Sequence, residues 1–261
     1  MRASIFSLLI LSYLGMYGQT WVVTDSLRLS SNVTCICVGY QGNVYIGTAT
    51  GEIIKLPATN KEVQKFSFQN LGAVTSISCQ NPLKIVSFHQ DTQSYVVLER
   101  FNAQPTIYEA PTVDGSRIEF FCLTPDQAFW SIESPDLLLR KRSNFGSEAF
   151  KYELTAILGS GEQIRNLVPY ENGVALFSSE KLRLISAGGQ TFKTIPLEKD
   201  ANTYLAGNQL YSITDGELKV FSITGEEIKR TLLPTNAAFA IIRSNELIIA
   251  ISTSLKRYSM R

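Results

Sequence analysis

A phrase that recurs about six times after residue 30 constrains this chain more than any other feature: an apolar β-like run, a turn, a second run, a second turn and a third run. The cleanest copy is Asn208-Gln-Leu-Tyr-Ser-Ile-Thr-Asp-Gly-Glu-Leu-Lys-Val-Phe-Ser-Ile-Thr-Gly-Glu-Glu-Ile-Lys-Arg. A repeat of this length is the mark of solenoids, propellers and arrays, in which one supersecondary unit is copied along the chain.

Two rulers measure the period. The third run of each copy carries an apolar residue after a turn or polar position, at Ile53, Tyr95, Leu137, Leu182, Leu218 and Leu255, with intervals of 42, 42, 45, 36 and 37 residues. Four copies open their second run on asparagine, at Asn43, Asn172, Asn208 and Asn245. Asparagine suits a tight hairpin because it tolerates left-handed backbone and bonds its own main chain, so these are turn residues rather than ligands. A spacing of about 40 residues is the length of a four-stranded propeller blade. The expected fold is all-β: a six-bladed β-propeller of four-stranded antiparallel blades, with little helix.

Strand counting adds a closure. The last copy supplies only three strands, Ala237 to Ile242, Glu246 to Ile251 and Leu255 to Tyr258, while Trp21 to Leu29 reads as one strand too many before the first copy. The N-terminal strand is therefore expected to complete the last blade as its outer strand, which hides an otherwise open edge.

Residues 1–18 have a basic start (Met1, Arg2), an apolar stretch from Ile5 to Leu14 and small residues at Gly15 and Gly18. That is the plan of a secretory signal peptide, and the apolar stretch is shorter than the roughly 20 residues of a membrane span. Residues 19–261 are then one propeller domain, exported to a periplasmic or extracellular location. With 24 basic and 23 acidic residues the chain has no electrostatic footprint for nucleic acid. Four cysteines, Cys35, Cys37, Cys79 and Cys122, permit up to two disulfides in an oxidising compartment. Cys37, Cys79 and Cys122 recur near the ends of first strands, 42 and 43 residues apart, so a bridge is expected between adjacent blades rather than between Cys35 and Cys37. The spacing lacks the paired Cys-x-x-Cys form of common zinc sites.

The segments Asn43-Val-Tyr-Ile-Gly-Thr-Ala-Thr-Gly-Glu-Ile-Ile-Lys-Leu and Asn208-Gln-Leu-Tyr-Ser-Ile-Thr-Asp-Gly-Glu-Leu-Lys-Val-Phe resemble the blade phrase of six-bladed propellers of the NHL, YWTD and TolB-like kind. In those families the phrase marks a second strand, a glycine turn and a third strand. The resemblance implies a fold; six-bladed propellers include enzymes, ligand binders and scaffolds.

Catalytic chemistry is sparse. His89 is the sole histidine, no Gly-x-Ser-x-Gly elbow accompanies it, and it reads as a hydrogen-bonded structural or turn residue. Asp91, Glu119, Asp126 and Glu133 could supply a glycosidase pair, although turn positions and strand ends explain them equally. The Asp-Gly pairs at 114 and 215 read as turns rather than calcium loops, and Asn32-Val-Thr34 matches a glycosylation sequon. No cofactor or metal site is expected. The run Leu137-Leu-Leu-Arg-Lys-Arg142, followed by Phe145, offers two readings: a blade edge guarded by charge, or a partner-contact patch built on Arg140, Lys141, Arg142 and Phe145. The functional expectation is a non-catalytic protein-interaction module. In concrete form it is a periplasmic subunit of an outer-membrane export or assembly complex, such as the plug-like component of a type IX secretion translocon. The alternative is a carbohydrate-active enzyme or glycan-binding propeller that uses the central channel.

Overall fold

A computed structural model describes residues 21–39, 41–59, 62–99, 104–112, 115–143, 147–199, 201–243 and 245–260. The segment expected to be a signal peptide and Phe145 lie outside these residues.

The chain forms six four-stranded antiparallel sheets. Blade 1 is β2 (Val33–Val38), β3 (Val44–Thr48), β4 (Glu52–Leu56) and β5 (Gln64–Ser67). Blade 2 is β6 (Ser76–Ser78), β7 (Lys84–His89), β8 (Ser94–Glu99) and β9 (Thr106–Glu109). Blade 3 is β10 (Arg117–Leu123), β11 (Phe129–Ser134), β12 (Leu138–Arg142) and β13 (Glu148–Glu153). Blade 4 is β14 (Ile164–Tyr170), β15 (Gly173–Ser178), β16 (Lys181–Ile185) and β17 (Thr191–Pro196). Blade 5 is β18 (Asn202–Ala206), β19 (Gln209–Thr214), β20 (Glu217–Ser222) and β21 (Glu227–Leu232). Blade 6 takes β22 (Phe239–Arg243), β23 (Glu246–Ile251) and β24 (Ser254–Met260) from the C-terminal end and β1 (Trp21–Arg28) from the other, in the order β1-β24-β23-β22. Trp21 opposes Met260 and Arg28 opposes Ser254, so the expected closure is present, with β1 outermost.

The core is a set of seams between blades. Along β15 the period of two sends Val174 and Leu176 into the cluster shared with blade 3, and Ala175 and Phe177 into the cluster shared with blade 5. Both faces of a middle strand are thus covered, which is why these strands read as continuous apolar runs instead of alternating ones. Blades 1 and 2 share Tyr45, Ile53, Val74, Ile77, Ile85 and Val96. Gly47 belongs to that seam: a Cβ there would lie 2.6 Å from Cys35 Sγ and 2.7 Å from Val74 Cγ1, so only glycine lets the two blades close.

Two sequence expectations shift. Five ruler residues occupy the second position of their third strand, but Leu137 sits in the preceding turn with φ +51°, and the equivalent buried residue is Leu139. The left-handed backbone expected of asparagine is carried by the residue before it, at Gly42, Glu171 and Gly207. Asn43 still braces its turn, its Oδ1 accepting from the Ala58 N–H at 3.0 Å.

Candidate functional site

The six inner strands converge on the axis, and at one end of the channel they enclose a cavity of about 540 Å³. Every blade contributes to its wall, among others Thr34 of blade 1, Ser76 of blade 2, Glu119 of blade 3, Arg165 of blade 4, Asn202 of blade 5 and Phe239 of blade 6. Much of this polar lining already bonds the next blade. The hydroxyl of Thr34 donates to Val74 O, that of Ser76 to Phe121 O at 2.6 Å, and the Arg165 guanidinium to Ala201 O at 3.5 Å. Tyr204 donates to Ala240 O and accepts from the Ala240 N–H at 2.7 Å, and burial pushes its hydroxyl pKa strongly up. The partners lie 36 to 45 residues apart, about one repeat. A side chain of one blade therefore caps the inner backbone of the next, a regularity that the sequence reading overlooked and that the spacing of Thr34 and Ser76 could have signalled.

Of the four candidate carboxylates, only Glu119 lines the cavity, where it accepts from Gln90 Nε2 at 2.5 Å and Ser134 Oγ at 2.7 Å. Asp91 lies in the exposed β7–β8 turn. Asp126 lies in the β10–β11 turn, 3.5 Å from Lys141 Nζ; burial raises its carboxyl pKa, and the Thr124 hydroxyl, the Lys141 charge and the Ala128 N–H outweigh it to leave a net lowering. Glu133 is inside blade 3 and 1% exposed. Burial opposes its charge, but Arg142, Ser131 and Arg140 outweigh burial and hold the carboxyl below its usual range. These acids are not assembled into one site.

The basic run is divided by the fold. Arg142 Nη1 lies 2.7 Å from Glu133 Oε1 and donates to Ser131 Oγ at 3.0 Å; Arg140 Nε lies 2.9 Å from the other Glu133 oxygen and Arg140 also pairs with Glu148. Both arginines are buried. Lys141 turns to the opposite side, 5.5 Å over the ring of Trp130. Blade 4 repeats the device: Arg183 forks onto Glu162 at 2.6 and 2.8 Å, Ser178 donates to the same carboxylate, and these bonds hold Glu162 down to about 2. A basic run on a third strand looks like surface in sequence, but both faces of that strand are seams, and its charges must pair inside.

His89 is fully buried in blade 2. Its Nδ1 lies 3.1 Å from Gly72 O, which fixes Nδ1 as the donor, and Nε2 is 3.3 Å from Ser87 Oγ. Burial lowers its pKa against the opposing pull of that carbonyl and of Asp91. Cys37 and Cys79 form a disulfide between blades 1 and 2, with Cα atoms 6.2 Å apart. Cys35 and Cys122 are buried thiols; burial pushes Cys35 up to about 12 and raises Cys122 likewise, so neither presents a thiolate. Among the described residues no three His, Cys, Asp or Glu side chains gather as metal ligands.

No protein-family profile and no curated protein matches the sequence. Solved structures do match the fold. A streptogramin B lyase superimposes with a TM-score of 0.61 at 12% identity, over 92% of this chain and 98% of the other. A catalytically inactive histidine-to-alanine variant of virginiamycin B lyase from Staphylococcus aureus, with quinupristin, gives 0.53 at 14% identity over 88% and 80%. The Pan2 WD40 domain of Neurospora crassa gives 0.56 at 10% identity over 88% and 78%. At such identities the likeness is one of fold, and the chain is a six-bladed β-propeller similar in fold to lyases and to a WD40 domain alike.

Proposed function

We propose that this propeller is an exported, non-catalytic protein-interaction module, and in its concrete form a periplasmic subunit of an outer-membrane export or assembly complex such as a type IX secretion translocon. The observation that carries the reading is the state of the channel mouth. Among the described residues its single carboxylate, Glu119, is held by Gln90 and Ser134, and its polar side chains are largely engaged in joining blades. A lyase reading that needs a histidine, by analogy with the neighbour inactivated by a histidine-to-alanine change, has only His89 to draw on, and that ring is buried between Gly72 and Ser87. The Cys37–Cys79 bridge supports export, because disulfides persist in oxidising compartments.

Cross-linking in the native host followed by purification tests this. Stoichiometric outer-membrane complex subunits are the expected result. A second reading, glycan binding in the channel, is favoured by the amides and aromatics that line it, Asn166, Asn202, Phe120 and Phe239. A protein recovered alone, with saccharide binding that Glu119→Gln removes, would replace the first reading by the second.

A further inference from the structure

We propose that the outer strand of blade 2, β9, is a docking edge that accepts an extended, lysine- or arginine-bearing segment of a partner protein as a fifth strand; this rests on the interaction-module reading.

Each blade ends in an outer strand with one unpaired edge, and such edges are ordinarily guarded by lysine, by bulges or by proline. Five of the six carry a basic residue: Arg28 in β1, Lys65 in β5, Lys151 in β13, Lys193 in β17, and Lys229 with Arg230 in β21. Four of those five, all but β5, also have an irregularity in the ladder to their neighbour. The edge β9 reads Thr-Ile-Tyr-Glu, has neither a lysine nor an arginine, and pairs with β8 in unbroken register. Its two large apolar side chains remain open, Ile107 at 49% and Tyr108 at 47% exposure. Exposed apolar residues occur on other edges, Phe192 and Ile228 among them, but there they stand next to Lys193 and Lys229.

Backbone geometry states what can cover this edge. The Ala110 N–H donates to Gln93 O at 2.8 Å, so the alternation of an antiparallel ladder turns the polar groups of Thr106 and Tyr108 inward and those of Ile107 and Glu109 outward. Outward N–H and C=O groups two residues apart match one partner, another extended strand. Side chains of an added strand would then fall alternately toward two grooves. One, of about 250 Å³, is walled by Tyr95, Tyr108, Phe129 and Lys84 between blades 2 and 3. The other, of about 570 Å³, is walled by Phe66, Leu83, Ile85 and Leu98 between blades 1 and 2. Pockets for alternate side chains are what gives strand addition its specificity. The acid at the strand end, Glu109, with no basic residue on its own strand, sets the charge of the incoming segment.

The test uses the full chain and a set of fluorescein-labelled eight-residue peptides that alternate Val or Tyr with Thr and carry one Lys or one Glu. Fluorescence polarisation should show the Lys peptides binding, and hydrogen exchange should show protection gained at Ile107 and Glu109. Ile107→Pro removes an outward N–H without breaking the ladder and should weaken binding by about tenfold. Ile107→Lys installs the missing guard and should act alike if proline disturbs folding. Glu109→Lys should transfer preference to the Glu peptides. Absence of binding by every peptide, binding unaffected by both Ile107 variants, or protection at a different outer strand overturns the proposal. So does concentration-dependent dimerisation that Ile107→Lys abolishes, since the occupant would then be a second copy. If native partners are still recovered with Ile107→Lys, β9 is excluded while the interaction-module reading stands.

Discussion

The seam between blades 1 and 2 and the interiors of blades 3 and 4 solve one problem by opposite means. Blades 1 and 2 are joined covalently by Cys37–Cys79 above a shared apolar cluster. Blades 3 and 4 hold buried guanidinium–carboxylate networks, Arg142 and Arg140 on Glu133 and Arg183 on Glu162. The first device responds to reductant and ignores acid; the second does the reverse. A propeller of near-identical blades thus contains regions that fail under different conditions.

The largest effect is expected from cutting one partner out of an ionic network. Glu162→Ala leaves the Arg183 guanidinium buried without its carboxylate and should cost about 3–5 kcal/mol in urea unfolding. Replacing both residues by leucine should recover most of that loss, because apolar substitutes avoid the desolvation of two charges. A double variant as unstable as the single one would mean that the pair stabilises the blade by more than mutual neutralisation.

Next comes the covalent seam. Cys37→Ala with Cys79→Ala opens a crosslink across a sequence separation of 42 residues, and the loss should be about 2–4 kcal/mol, through greater freedom of the unfolded chain. Reduction of the native chain should match it, while a variant as stable as the native chain would assign the seam to its apolar cluster alone.

Acid should separate the two regions by pH. Burial lowers the folded pKa of His89 below its ordinary 6.5, so stability should begin to fall slightly as pH drops through 6.5. Glu162 falls from 4.5 to about 2 in the folded state, so its contribution is complete above about 4.5 and lost as pH falls toward 2, with Glu133 shifting in the same direction. Melting curves of the native chain and the double-leucine variant should diverge only below pH 4.5. A fall shared by both curves and beginning near neutrality would trace that part of the acid response to His89, which both proteins keep.

What the sequence revealed follows from where the information resides. The six blades and the closure of β1 on β24 were legible because turn chemistry and apolar runs are local and repeat. Both readings of the basic run, a charge-guarded edge and a partner patch, place Arg140 and Arg142 at the surface, whereas they are buried, because a basic run is ambiguous until its strand is known to have seams on both faces. Their partner was within reach: Ser131 and Glu133 share one strand face at i and i+2, as do Arg140 and Arg142. The bonds from Thr34, Ser76 and Tyr204 to the next blade are faint in sequence, because a side chain that caps backbone leaves no residue-type signature in its acceptor and only the spacing of the donors Thr34 and Ser76 marks them. The edge β9 shows in sequence only as a lysine that is missing.

The smallest effect should come from the channel mouth, and it tests whether the contrast extends to a third carboxylate. Glu119 accepts from Gln90 and Ser134 but, among the described residues, pairs with no guanidinium, and it lines a cavity rather than a seam. Glu119→Gln keeps a carbonyl acceptor for the Gln90 amide and turns its own NH2 toward the Ser134 hydroxyl, which can accept, so the change in unfolding free energy should stay within about 0.5 kcal/mol. A loss comparable to that of Glu162→Ala would make the channel mouth part of the framework. A near-neutral result would leave Glu119 as a half-buried acid that the fold does not require, and such a group is available to whatever enters the channel.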